Sequence, residues 1–260
     1  MALLEATRLG KDYGTGRKAM RVLYGIDLAI DDGEFVAIVG PSGCGKSTFL
    51  HIAGGFVQAS EGTIRFDGAP ITKPGPDRGV VFQDYSLYPW RTVIGNIVWG
   101  LEAQGVPRAE RIQTAERFME MVGLTAFRNH YPNELSGGMK QRVALARTLT
   151  YDPKLLLMDE PFGALDVQTR ELMQEELQRI WDATRKTVLF VTHDIDEAVY
   201  LSDRVLVFTA RPGRIKETIA IDLPRPRAIE IKRTPAYAEY RNRIWDLLRQ
   251  EVLQAAEQNA

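Results

Sequence analysis

The stretch GPSGCGKST, residues 40 to 48, follows the apolar run Phe35–Val39 and leads into an apolar-periodic segment at Thr48–Ala53. It matches G-x-x-x-x-G-K-[ST] in the strand–loop–helix setting that such a loop requires. Gly40, Gly43 and Gly45 permit backbone geometry that turns successive N–H groups inward, a nest for phosphate oxygens. A helix beginning near Lys46 directs its positive dipole end at the same anion. Lys46 would reach the β- and γ-phosphates, and the Ser47 hydroxyl would ligate Mg²⁺. With Pro41, Ser42, Cys44 and Thr48 completing the loop, the segment predicts bound ATP with Mg²⁺. Cys44 reads either as a redox-sensitive thiol at a helix N-terminus or as a small loop residue without catalytic work; the second is the simpler reading.

Outward from this loop, four short apolar segments are bounded by turn residues: Phe35–Val39, Val80–Phe82, Leu155–Met158 and Val188–Val191. Continuous hydrophobicity predicts strands buried on both faces of a parallel sheet. Helical patterns at Thr48–Ala53, Ala109–Val122, Met139–Leu149 and Asp166–Ala183 lie between them, which argues for βαβ architecture. Ala2–Leu28 differs: its alternating runs, with Gly and Asp, suit an antiparallel edge sheet. Tyr85–Asn133 contains no strand-like run and reads as a helical insertion. Two prolines in LPRPR break regular structure after Leu223. A final helix is expected over about Ala236–Gln254, with Ile244, Leu247, Leu248 and Val252 on one face.

Two further motifs carry chemistry. KLLLMDEP, residues 154 to 161, is an apolar strand ending in adjacent acids. Asp159 would hold Mg²⁺, and Glu160, pointing the other way, is placed to polarise an attacking water. LSGGMKQR, residues 135 to 142, puts Ser136, Gly137 and Gly138 before a predicted helix, with Ser136 as its cap. One chain thus offers two helix ends suited to phosphate.

Charge narrows the class. With 33 Lys+Arg against 34 Asp+Glu, the 260-residue chain lacks the basic footprint of a dedicated nucleic-acid binder. Cys44 is the single cysteine, so no disulfide can form within the chain. The N-terminus MALLEATRLGKDYG is charged and is not expected to be a signal peptide. No apolar run approaches the ~20 residues of a membrane-spanning helix.

These motifs, in this order, resemble those of ATP-binding-cassette (ABC) ATPases from Leu3 to about Arg214. The resemblance implies an α/β fold with a P-loop NTPase core of mostly parallel sheet and helices. An antiparallel β edge subdomain and an inserted α-helical subdomain at about 85–148 would complete it. It implies an ATPase domain over 1–223 and a helical extension over 224–260. It further implies that Ser136 and Gly138 contact the γ-phosphate of a second cassette's nucleotide, with Gly137 between them. Tyr13, in KDYG, would be the adenine platform, although an ordinary edge-sheet aromatic also fits. Gln83 would sense Mg²⁺ and the attacking water, His193 would contact the γ-phosphate, and Asp166, in GALD, would meet the opposite cassette.

Rival classes remain in view. ABC ATPases of DNA repair separate their two nucleotide motifs with very long coiled coils, whereas Lys46 and Ser136 leave room only for a compact subdomain. Those of translation carry two cassettes per chain, and neutral charge disfavours both. A P-loop kinase would leave Ser136–Gly138 and Asp166 without purpose. Within transporters, DYSLYPWRTVIGNI (84–97), ARPGRI (210–215), DLPRPR (222–227) and RNRIWDLL (241–248) resemble the nitrate/sulfonate/taurine importer ATPases. Many relatives carry an acid where Gly95 stands, which weakens any naming of the solute. The branch implies partners: an identical or closely related second cassette, two membrane-spanning permease subunits and, indirectly, a solute-binding protein. No nucleic-acid partner is expected, and the position is the cytoplasmic face of the membrane. The patch Tyr85, Leu87, Tyr88 and Trp90 reads either as lining a groove for a permease helix or as packing within the helical subdomain.

Overall fold

Twelve-residue strands β1 (Ala2–Tyr13) and β2 (Met20–Asp31) form an antiparallel pair, with β4 (Glu61–Phe66) on the other side of β1 and β5 (Ala69–Pro70) outside it. The computed structural model describes residues 2–14, 16 and 19–258. Alternation drives this sheet: in β2, Val22, Leu23, Ile26, Leu28 and Ile30 are buried while Asp27 and Ala29 face outward. The edge character read from Ala2–Leu28 thus extends over two full-length strands.

The chain divides into two compact units, Met1–Gly75 with Arg185–Ala260 and Pro76–Thr184. In the first, β3 (Phe35–Val39) lies between β8 (Thr187–Val191) and β9 (Arg204–Phe208), parallel to both; β10 (Ile215–Ala220) pairs antiparallel with β9. Every residue of β3 is buried, as its unbroken apolar run requires. Helix α1 (Lys46–Ala53) follows β3, and the short helix α7 (Ile195–Leu201) links β8 to β9.

In the second unit, β6 (Arg78–Val81) and β7 (Leu155–Asp159) pair in parallel. Between them run α2 (Val93–Ile97), α3 (Trp99–Ala103), α4 (Arg108–Met121) and α5 (Gly137–Leu149), with α6 (Val167–Thr184) after β7. Met173, Leu177, Ile180 and Trp181 give α6 one buried stripe at helical spacing. The α/β class, the antiparallel edge sheet and the helical insertion match the expectation. Strands β9 and β10 went unread in the sequence. α1 begins at Lys46, where the phosphate loop placed it, and α5 begins two residues earlier than its pattern predicts.

The final helix, α8 (Pro235–Gln258), belongs to the first unit, the one that holds β3 and α1. The LPRPR segment does more than break structure, because it pegs this region down. Arg225 pairs with Asp203 at 2.8 Å and donates to the Leu201 carbonyl. Arg227, buried, donates to the carbonyls of Val199, Tyr200, Ser202 and Ile221. Burial lowers its pKa to about 10, and the carbonyls at the end of α7 give the cation its partners. In α8 the buried positions are Tyr237, Ile244 and Glu251, spaced by seven, whereas Val252 is 55% exposed. Ile244 is buried and Leu247 and Leu248 half-buried as the predicted face requires, but Val252 faces out, and a buried carboxylate continues the inner stripe in its place. Among the described residues no helix is long and apolar enough to cross a membrane.

Ile244→Ala should cost about 2–5 kcal/mol in denaturant unfolding, and Val252→Ala should stay within about 0.5 kcal/mol. Equal costs would contradict the assignment of the inner face.

Candidate active site

In the first unit the phosphate loop bends around Lys46. Its ammonium is buried and donates to the Gly40 carbonyl at 2.9 Å and the Pro41 carbonyl at 3.2 Å. A charge taken from water needs such partners. The Cys44 N–H donates to the Pro41 carbonyl at 3.3 Å. Gly45 caps α1 at φ 107°, a conformation closed to ordinary side chains. A Cβ on Gly40 would sit 2.9 Å from the Cys44 sulfur and 3.0 Å from the Phe208 Cβ. Ser47 and Thr48 occupy the first turn of α1, half-buried, and Ser42 lies exposed on the loop. Burial pushes the Cys44 thiol up, although Lys46 pulls the other way. That favours the small loop residue over the redox-sensitive one.

His193 is exposed between two braced neighbours. The Thr192 hydroxyl donates to Glu197 at 2.5 Å and accepts the Asp194 N–H at 3.0 Å. The Asp194 carboxylate caps α7 through the N–H groups of Asp196 and Glu197. The backbone that carries the imidazole is therefore held by a buried threonine before it and a capped helix after it. A cavity of about 520 Å³ lies beside His193, walled by Asp196 and by Arg241 and Trp245 of α8. Tyr13 closes β1 with its ring 40% exposed and the Lys11 ammonium 5.0 Å from the ring centroid.

The second unit carries the other predicted residues. Asp159 ends β7 and Glu160 follows at φ 44°, in the left-handed region. A non-glycine residue in that region strains the backbone. A Cβ added to Gly163 would lie 3.6 Å from the Gln83 amide nitrogen and 3.9 Å from the Glu160 Cβ. Gln83 and Glu160 thus approach one turn. Asp166 accepts the Thr169 N–H at 3.0 Å, a bond that lowers its pKa. Ser136 caps α5, accepting the Met139 N–H at 3.3 Å. Gly137 and Gly138 lie inside the first turn of α5. A Cβ on Gly138 would be 2.7 Å from Thr169 of α6, and one on Gly137 3.1 Å from Leu165. Close packing within the chain therefore supplies a reason for both glycines besides any ligand.

Sequence reading missed two supports. The Arg147 guanidinium of α5 donates to the carbonyls of Ser86 and Tyr85 at 2.6 and 2.9 Å. Those two residues have φ values of 46° and 62°, so the segment after Gln83 is strained and clamped. Arg147 falls at helical spacing in a polar-and-apolar mixture and offered no signal. Buried Asn96 holds Tyr88 through both backbone groups, while Trp90 is 72% exposed beside the Tyr88 ring. Tyr85, Leu87 and Tyr88 are half-buried, so the predicted patch splits, with Trp90 alone at the surface.

Residues 23–163 match the ABC transporter family. An uncharacterized ABC transporter ATP-binding protein of Methanocaldococcus jannaschii is 52% identical over 252 residues, covering 97% of this chain and 93% of that one. A nitrate import ATP-binding protein of Synechocystis sp. is 48% identical over 252 residues, with 95% of each chain covered. Among solved structures, a dimeric ATP-binding cassette in a post-hydrolysis state with ADP and Pi aligns with TM-score 0.73 at 33% identity, over 85% of this chain and all of that one.

At pH 8 the native Cys44 should resist alkylation by iodoacetamide and react readily once denatured, since the reactive thiolate is suppressed by burial. A native rate equal to that of an exposed thiol would overturn the inert assignment.

Proposed function

Because the chain belongs to the ABC transporter family as an ATP-binding, ATP-hydrolysing subunit, we propose that it drives import of a small anionic solute of the nitrate, aliphatic sulfonate or taurine class. The observation that carries the solute class is the likeness, along nearly the full length of both chains, to a protein named for nitrate import. Its working position is peripheral, on the cytoplasmic face of the membrane, docked on two permease subunits that receive solute from a binding protein.

In this reading the inward amides of Gly40–Thr48 and the Lys46 ammonium bind the phosphates, and Tyr13 supports the adenine. On meeting nucleotide, Lys46 exchanges two carbonyl partners for phosphate oxygens. Ser47 and Asp159 would hold Mg²⁺, with Gln83 near its water shell. Hydroxyl and carboxylate oxygens suit that hard cation. Bound Mg²⁺ neutralises charge on the phosphate oxygens. Glu160 polarises the attacking water, Gln83 orients it, and His193 faces the γ-phosphate.

Ser136, Gly137 and Gly138 serve the nucleotide of a second cassette, and Asp166 meets that cassette. Dimeric ATP-binding cassettes among the similar structures support this pairing. ATP then joins two cassettes, and hydrolysis lets them part, which moves the permease between its inward and outward states.

Glu160→Gln should bind ATP, lose roughly 10²–10⁴-fold in turnover and accumulate as ATP-bound dimers on size exclusion. Full turnover in that variant would remove Glu160 from its role. For the solute, the cassette reconstituted with its permease in liposomes should hydrolyse ATP faster when a nitrate-, sulfonate- or taurine-loaded binding protein is added. Stimulation by none of them would undo the solute class and leave the ATPase standing.

A further inference from the structure

The turn between β9 and β10, ARPGRI, reaches the phosphate loop. Arg211 donates from Nε and Nη2 to the Gly43 carbonyl, at 3.1 and 2.9 Å. Its other terminal nitrogen contacts the Met20 sulfur at 2.9 Å. Gly213 behind it is ladder-bonded to β2: its N–H donates to the Val22 carbonyl at 2.8 Å, and its carbonyl accepts the Tyr24 N–H at 3.0 Å. A Cβ on Gly213 would lie 2.2 Å from the Cys44 carbonyl, so the turn presses directly on the loop. From the other side, buried Glu251 of α8 accepts the Ala210 N–H at 2.9 Å and pairs with Lys216 at 2.8 Å.

We propose that Arg211 is a positioning residue for nucleotide binding, which fixes the Gly43–Cys44 peptide plane, and that α8 holds it in place through Glu251. In a trans peptide the C=O and N–H point in opposite directions. A carbonyl held outward by a guanidinium therefore keeps the Cys44 N–H turned inward, where it already meets the Pro41 carbonyl. Gly43 sits at φ 74° in a flexible glycine-rich stretch, so this peptide is one that would otherwise rotate cheaply. The chain of contacts runs from the last helix, through Ala210 and Arg211, to the loop. It rests on the reading of Gly40–Thr48 as the phosphate site.

Arg211→Met keeps the aliphatic stem and removes every donor. Its ATP Kd, measured by titration of the purified chain, should rise about tenfold, the scale of a lost charge-assisted hydrogen bond. Arg211→Lys, which returns one donor, should recover part of that loss. Glu251→Ala should weaken binding about threefold. In steady-state assays the rise should fall on KM with kcat near wild type, the signature of lost ground-state binding. The melting temperature of nucleotide-free Arg211→Met should stay near wild type while the gain on adding ATP shrinks. An Arg211→Met Kd within twofold of wild type, or a fall in kcat at unchanged KM, would overturn the proposal. An unchanged Kd in Glu251→Ala would remove α8 from it. Lys46→Ala serves as the control: unchanged ATP binding there would instead sink the phosphate-loop reading itself.

Discussion

A lysine ammonium held inside the protein by backbone carbonyls is the constraint on which the first unit is built. Lys46 is buried, and the Gly40 and Pro41 carbonyls are the hydrogen-bond partners found for it. The loop must keep those carbonyls where the cation can reach them and still leave N–H groups for an anion. A glycine-rich segment left to itself would not hold such a shape, since its backbone entropy is high. Rigidity comes from β3, buried along its length and paired in parallel with β8 and β9. Interlocking adds to it, because Phe208 and the Cys44 sulfur close on Gly40, and Val22 and Leu23 close on Gly45, so tightly that a side chain at either would clash. Cys44 is part of that packing, its thiol pushed up by the same burial that holds the loop.

The second unit solves a related problem by clamping. Tyr85, Ser86 and Glu160 all adopt positive φ without being glycine. Arg147 holds the first two by their carbonyls, and it projects from α5, the helix that Ser136 caps. A single helix therefore carries the predicted serine at one end and the clamp on the segment after Gln83 near the other.

Much of this was legible in residues because it is local. A five-residue apolar run between turn residues reads as a buried strand, and the glycines with Lys46 and Ser47 follow from what a phosphate demands. The cap Ser136 was equally readable, since capping acts over three residues. What escaped depends on partners far along the chain. Arg211 touches a carbonyl at position 43, Arg227 meets the end of α7, and Glu251 replaces an apolar residue on the inner stripe of α8. Periodicity assigns a buried acid to solvent, because nothing in its neighbourhood announces Ala210 and Lys216 as waiting partners. The glycines of LSGG have a second reason that the motif does not announce, since a side chain at either would crowd Thr169 or Leu165.

The left-handed backbone at Glu160 carries one more consequence. Glycine adopts φ 44° freely, and a glutamate there costs of order 1 kcal/mol or more. Selection for folding alone would therefore drift this position toward glycine. A chain that keeps an acid there is accepting a slightly weaker fold to retain a carboxylate, so on the catalytic role proposed for Glu160 a library sorted only for thermal tolerance would enrich cassettes that are sturdier and silent.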